Sequence, residues 1–447
     1  MKINFSISIF LFLSLLACQE NKQSIKIERE HYHHAIDKLT EVMVHDIFSP
    51  PVASRIYVYP NIAAYQTFSD KSEKYFPLTN QLNGLQNYEA IPVQAQLNLN
   101  LASLIAYINV SSELVFSKEI ITNYRDSLYL EWKKINPVEF EVSKKHGIQV
   151  AEQIINWMQM DGYVETRNMP DYNIFSEDPS VWQPTPPAYM KGIEPHWNKL
   201  RPFVLDSASQ FKPVPPPEFS LEPGSKFYKE LISVYNINNT IRGAGDESEE
   251  IAIARFWDCN PFVSVNKGHF MFADKKISPG AHWVGICKIA CNETEADFKK
   301  SVYAQTKTSI AIADAFISCW DEKYRSNLVR PETLITKYID SEWLPILQTP
   351  PFPEYTSGHS VVSNSAAEVL TDMFGENFGF LDTTEIPYGL PSRKFNSFKD
   401  AANEAARSRV YGGIHYDSAV FEGITQGSNI GKLVNEKIDF LNTNAKP

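Results

Sequence analysis

The sequence predicts an all-α fold, and three observations predict it. Helical periodicity dominates, strict period-two alternation is scarce, and the stretches between periodic segments are rich in proline. The clearest periodic segments are Leu97–Ile108, Leu114–Trp132, Val142–Met160, Phe298–Trp320, Val361–Phe374 and Ile424–Leu441. Proline interrupts them at Asp178 to Pro187, at Lys212 to Pro217 and at Thr349 to Pro353, where no helix can continue. These prolines lie among aromatic residues and not among Gly and Ser, so they read as packed crossings. The prolines at 213–217 are a candidate division between an N-terminal and a C-terminal helical half of one domain, 31–447.

The N-terminus comes first in chain order. Lys2 gives a minimal positive region, Ile9 to Leu16 form a short apolar stretch, and Leu15-Leu16-Ala17-Cys18 reads as a lipobox. Residues 1–17 are therefore expected to be a lipoprotein signal peptide, with Cys18 lipidated and 18–30 a polar tether. An ordinary signal peptide with an incidental Cys is the alternative. Either implies export, and the lipobox implies a bacterial cell-envelope lipoprotein held on a membrane by its N-terminal lipid. After residue 17 no apolar run reaches 18 residues, so no membrane span is expected.

Composition narrows the function. With 42 Lys and Arg against 53 Asp and Glu, the formal charge is −11, which argues against a nucleic-acid binder. Hydrophobic residues make up 43% of the chain, enough for a large core and too many for global disorder. Cys259, Cys287, Cys291 and Cys319 permit up to two disulfides, though buried free thiols are the favoured reading. Cys287 and Cys291 have no matching second pair, so a zinc site there is not expected. The His31-Tyr32-His33-His34 cluster is expected to face solvent.

Three segments carry the chemistry. In the first, a helix with a plausible cap at Thr294 and Asp297 in capping-box position would place Ala313, Phe316, Trp320 and Lys323 on one face. A lysine on an apolar face is costly unless it is paired or its stem snorkels. Arg330 then precedes Pro331, where a helix boundary is expected. In the second, Ser357 is a credible N-cap and Gly375 a credible stop, with His359 on the stripe of Val362, Ala366, Val369 and Met373. The Ser357 hydroxyl, the Gly358 amide and the helix N-terminus together suit an anion. In the third, Ala402, Ala405 and Arg409 share a small-residue face, Gly412-Gly413 breaks the helix, and His415 follows. Each segment alone reads as ordinary structure: surface charges, a capped helix, a buried histidine.

Together they read otherwise. Lys323 to Arg330-Pro331, then Ser357-Gly358-His359, then Ser408-Arg409 to His415 resembles the signature shared by vanadium-dependent haloperoxidases and the type-2 phosphatidic-acid phosphatase and bacterial acid phosphatase superfamily. Ile253 to Asp258, Ser278 to Trp283 and Pro50 to Arg55 also resemble the bacterial haloperoxidase branch, so the likeness covers nearly all of the chain after the leader. It implies helical bundles and a vanadate cofactor, with no haem or flavin. By the resemblance, Lys323, Arg330, Ser357, Gly358 and Arg409 would hold the oxyanion, and His415 would bind vanadium. His359 would be the acid–base group, Lys323 would polarise bound peroxide, and Phe352 and Trp320 would form the halide-side wall.

The implied reaction is oxidation of a halide by hydrogen peroxide to hypohalous acid, which halogenates organic acceptors. Iodide is the favoured halide, because the sequence looks most similar to bacterial iodide-oxidising members. An envelope phosphatase acting through a phosphohistidine at His415 is the main alternative, and a silent oxyanion-binding lipoprotein the third. One departure stands out. Relatives commonly carry Asp four residues after the last histidine, where this chain has Ala419; Asp417 is the nearby carboxylate, and the group that orients the imidazole is left open.

Overall fold

Helix starts in this chain repeat one device, a capping side chain followed directly by proline. Ser49 precedes Pro50 and its Oγ accepts from the Val52 N–H at 3.4 Å. Ser278 precedes Pro279 and accepts from the Ala281 N–H at 3.2 Å, and Asn136 precedes Pro137 and accepts from the Glu139 N–H at 3.3 Å. The proline fixes φ where no N–H is needed, and the cap satisfies an otherwise orphan donor. A computed structural model describes residues 23–261, 264–267, 270–273 and 276–442; the lipobox and Cys18 lie outside them.

The described residues form fourteen α-helices and two small hairpins. The first half holds α1 (Arg29–Asp46), α2 (Pro50–Ser69), α3 (Leu99–Leu114), α4 (Lys118–Ile135), α5 (Pro137–Met158) and the single turn α6 (Tyr163–Thr166). A long connector leads to α7 (Lys226–Ala244) and α8 (Glu249–Phe256), then to the hairpin β1 (Ser264–Lys267) and β2 (Phe270–Ala273). The rest comprises α9 (Pro279–Glu293), α10 (Phe298–Ser326), α11 (Pro331–Tyr338), α12 (Gly358–Phe374), the hairpin β3 (Phe380–Asp382) and β4 (Arg393–Phe395), α13 (Phe398–Tyr411) and α14 (Asp417–Lys437).

Two helices are buried all round. Every residue of α2 is buried, as is every residue of α10 from Ser301 to Lys323, and the two pack together. Asn61 of α2 ties them together, donating to Ser309 of α10 at 3.2 Å and accepting from Tyr32 of α1 at 2.6 Å. Around α10 lie α9, α12 and α14, while α3 bridges α2 and α5. One apolar cluster runs from Ile25 to Phe440 and so takes residues from both halves. The connector is pinned to α10 by Asp314, which accepts the N–H groups of Phe203, Val204 and Leu205 at 2.7, 2.8 and 3.1 Å.

Close approach of α14 to α12 rests on Gly423 and Gly427, one turn apart. A Cβ on Gly427 would lie 2.1 Å from the Val361 carbonyl oxygen, and one on Gly423 would lie 2.8 Å from the Ser360 Cβ. Any larger residue would push α14 off the helix that carries His359.

Several expectations need correction. Thr294 does not cap α10; it closes α9, its Oγ1 donating to the Ala290 carbonyl, while Asp297 caps α10 by accepting from the Lys300 N–H at 2.7 Å. Leu114 ends α3 instead of starting α4. The part of the expected tether from Ser24 onward is packed, with Ile25 and Ile27 buried and Ser24 donating to Glu139. Prolines 350, 351 and 353 are buried crossings, whereas 213–217 run half-exposed along the surface. All four described cysteines are buried free thiols.

The histidine cluster does not simply face solvent. Glu28 and His31 form a capping box for α1, and His33 is only 5% exposed. Burial, with Lys288 and Arg29 nearby, pushes the His33 pKa from 6.5 down to about 3. A folded-state pKa below the unfolded one contributes stability above pH 6.5 that is lost as pH falls toward 3, because only the unfolded chain takes the proton. Between pH 7.5 and pH 5.5 the wild type is expected to lose about 1.4 kcal/mol more than a His33→Leu variant. Urea unfolding at the two pH values checks this, and equal losses would show that His33 titrates normally.

Candidate active site

Four pieces of chain converge beneath the N-terminus of α12. They are the C-terminal turn of α10 with Lys323, Arg330 at the start of α11, the buried 349–357 crossing, and the α13–α14 corner with Arg409 and His415. Ser357 caps α12, its Oγ accepting from the Ser360 N–H, and its own N–H donates to the Ala419 carbonyl at 3.0 Å. Gly413, at φ 77, turns the chain so that His415 points back into the corner.

His415 is held at both nitrogens. Its Nδ1 donates to Glu354 Oε1 at 2.7 Å, and the Tyr416 N–H donates to the same oxygen at 2.9 Å. Glu354 is therefore the orienting carboxylate that the sequence left open; Asp417 instead pairs with Arg407. Burial, reinforced by Arg330, Lys323 and Arg409, holds the His415 pKa well below its usual value. The ring is neutral with its proton on Nδ1, so Nε2 keeps a lone pair for a Lewis acid. Arg330 Nη1 donates to that Nε2 at 3.1 Å.

The cations are buried, and the two guanidinium groups are only partly satisfied. Arg330 is fully buried; Nε donates to the Phe352 carbonyl at 3.0 Å, Nη1 to the Ile414 carbonyl at 2.8 Å, and Nη2 has no partner. Arg409 donates from Nη1 to the Trp257 carbonyl at 2.8 Å, and its Nε has no partner. Lys323 donates to the carbonyls of Pro353, Glu354 and Thr356 at 3.0, 3.0 and 2.5 Å. Burial lowers its pKa to about 7. The half-buried His359 presents a buried Nε2 with no partner, and burial and Arg409 hold its pKa well below the usual value.

Beside these groups is a cavity of about 30 Å³ lined by Gly358, His359, Arg409 and His415 on one side. Phe316, Trp320 and Phe352 line the other, with the Trp320 and Phe352 rings 5.0 Å apart. Phe352 lies between two cations, with Lys323 Nζ 5.0 Å and the Arg330 guanidinium 5.1 Å from its ring centre. Pro50, Cys259, Asn260, Pro279, Pro350 and Ile414 complete the lining. Of the three flanking stretches named from resemblance, two line the cavity through Pro50 and Pro279 and the third touches the site through the Trp257 carbonyl on Arg409, although Arg55 turns away into an ion pair with Asp161 at 2.6 Å.

Donor nitrogens left unpaired in a buried site are costly, and the two of Arg330 and Arg409 near one neutral imidazole lone pair suit a tetrahedral oxyanion. The comparisons agree. Residues 304–443 match the family model described as the VCPO second helical-bundle domain, which takes in every residue of the three motifs. A bacterial vanadium-dependent iodoperoxidase of known structure is 56% identical, with a TM-score of 0.91, over 95% of this chain and 100% of that one.

The chain belongs to the vanadium-dependent haloperoxidases.

Structures of bacterial vanadium-dependent chloroperoxidase, in apo and holo forms, share the haloperoxidase fold at 19% and 18% identity. Their TM-scores are 0.68 and 0.65, over 88% of this chain and 94% and 93% of theirs. No curated protein sequence matches. The chain is an enzyme of a vanadium-dependent class, and its orphan donors fit vanadate. Glu354→Gln tests the orienting carboxylate: losing the charge that fixes the imidazole tautomer is expected to weaken vanadate binding ~10–100-fold. Equilibrium dialysis checks it, and unchanged affinity would remove Glu354 from the site.

Proposed function

We propose that this haloperoxidase oxidises iodide with hydrogen peroxide to hypoiodous acid, which then iodinates organic acceptors. The observation that carries the reading is the neutral His415 Nε2 facing buried, unpartnered guanidinium nitrogens of Arg330 and Arg409. His415 would be the ligand to vanadium, and Arg330, Arg409, Ser357 and the Gly358 amide would donate to the oxygens. Lys323 supplies a buried ammonium that the anion's charge keeps protonated. Vanadate, when bound, supplies a Lewis-acidic centre that activates peroxide toward halide without a change in metal oxidation state.

The protein's own part is proton handling and exclusion of water. His359, neutral and unpartnered at Nε2, accepts the proton of incoming hydrogen peroxide and returns it to the leaving oxygen. Phe316, Trp320 and Phe352 give an apolar wall, against which a large, weakly hydrated anion loses less solvation than chloride does. That wall and the similarity to a bacterial iodoperoxidase support iodide. The lipobox at Leu15 to Cys18 supports a place on the cell envelope.

The test uses the chain from Gln19 onward as apo-protein. Vanadate-dependent triiodide formation, faster than bromide oxidation and with negligible phosphate release from an aryl phosphate, is the expected result. Rapid phosphate release inhibited by vanadate, with little iodide oxidation, would overturn the proposal in favour of a phosphatase. Faster oxidation of bromide or chloride would overturn the halide assignment alone.

A further inference from the structure

Beside the oxyanion cradle lies a second cluster that plays no part in the chemistry above. Cys259, after α8, His282 on α9 and Glu385, after β3, bring one ligand atom each to a common point, and all three residues are buried. His282 Nδ1 lies 3.5 Å from Cys259 Sγ and 3.2 Å from Glu385 Oε1, and the sulfur and that oxygen are 3.9 Å apart. We propose that Cys259, His282 and Glu385 form a binding site for a divalent zinc ion, with Asp382 behind the histidine.

The distances carry the argument. Zinc bonds of about 2.3 Å to sulfur and about 2.0–2.2 Å to nitrogen and oxygen, at tetrahedral angles, set ligand–ligand edges of roughly 3.4–3.6 Å. The three observed edges bracket that value. Hydrogen bonding alone accounts for them less well, because a charge-assisted N–H to carboxylate bond closes to about 2.7–2.9 Å. On its other side the same ring does so: His282 Nε2 lies 2.8 Å from Asp382 Oδ2. One nitrogen is tightly bonded while the other stands off from two acceptor atoms at the distance a shared ion requires.

The surroundings fix the ligand set. Asp382 is itself held, its Oδ1 accepting from the Thr384 N–H at 3.0 Å and the Thr384 hydroxyl at 2.7 Å. It anchors Nε2 and so aims Nδ1 at the Cys259 sulfur and the Glu385 carboxylate, the carboxylate–histidine arrangement common behind zinc. Trp257 stacks on His282 at 4.4 Å between ring centres, which locks the ring plane. Thiolate, imidazole and carboxylate together select a borderline-soft ion such as zinc over magnesium or calcium. Against the cost of burial, Asp382 holds the metal-free His282 protonated, so on binding the Cys259 thiol and the His282 imidazolium each give up a proton to solvent, and the ion takes their places on Sγ and Nδ1.

The site joins three segments, of which α9 and the β3 turn also meet through the His282–Asp382 pair. One of them carries the Trp257 carbonyl that holds Arg409, and Cys259 itself lines the active cavity. The zinc is structural: it braces the cavity wall and does not contact the oxyanion.

The test measures metal directly, on the purified full-length chain stripped with chelator and free of vanadate. Titration with zinc against a chromophoric competitor is expected to give one zinc per chain. Cobalt(II) in its place is expected to show a thiolate-to-cobalt charge-transfer band. Cys259→Ser, close in size to the native residue, is expected to weaken zinc binding more than ~10-fold and to abolish the band. Asp382→Asn is expected to weaken zinc binding by ~10–100-fold. Cys291→Ser, outside the cluster, is expected to change neither, and circular dichroism confirms that each variant is folded. No zinc on the folded wild type, no cobalt band, or equal zinc in Cys259→Ser would overturn the proposal.

Discussion

His415→Ala is expected to abolish stoichiometric vanadate binding, and with it all vanadate-dependent halide oxidation. In the proposed reading the imidazole bonds the metal through Nε2, because its proton is held on Nδ1 by Glu354 at 2.7 Å. Without it, the oxyanion keeps only hydrogen bonds from Arg330, Arg409, Ser357 and the Gly358 amide. Each charged hydrogen bond is worth about 1.5–3 kcal/mol, and water competes for every one of them once the cavity is enlarged. The substitution also strips Glu354 of its imidazole partner. Burial already pushes the Glu354 pKa up to about 7, and losing an N–H donor to its charged form pushes it further up. The variant is therefore expected to fold with a neutral Glu354 and a moderate loss of stability. Elemental analysis after desalting is the measurement: wild type is expected to retain about one vanadium per chain and the variant essentially none. Stoichiometric vanadium in a folded His415→Ala chain would contradict the ligand assignment.

Much of the site was legible because its members sit beside strong local signals. Ser357 and Gly375 bracket α12, and Gly412-Gly413 closes α13 ahead of His415. Lys323 stands on an apolar stripe of α10. Glu354 was not legible as a partner of His415, because the two are 61 positions apart and only the folded corner joins them. The Cys259, His282 and Glu385 cluster was hidden for the same reason, since its ligands share no spacing motif. Helix α2 went unmarked because it is buried on every side and so shows no amphipathic period. The start of α14 was placed too late, at Ile424 instead of Asp417. Gly423 and Gly427 depress helical propensity there, yet packing against α12 requires both.

His359→Ala is expected to separate binding from turnover. The histidine lies on the first turn of α12, and its Nε2 is buried with no partner in a cavity shared with His415 and Arg409. Burial and the Arg409 charge hold it neutral in the protein alone. A nearby oxyanion reverses the sign of that field, so the histidine pKa moves up toward the working pH, where a proton shuttle is most effective. Losing such a group typically costs ~10²–10⁴-fold in rate. Because the proposal gives the vanadium bond to His415, the variant is expected to retain about one vanadium per chain while iodide oxidation falls by that factor. Added imidazole, small enough to enter the vacated space, is expected to restore part of the rate. Turnover equal to wild type would remove the acid–base role. Loss of vanadium together with activity would move His359 from proton transfer to holding the anion, and the two measurements on one preparation distinguish these cases.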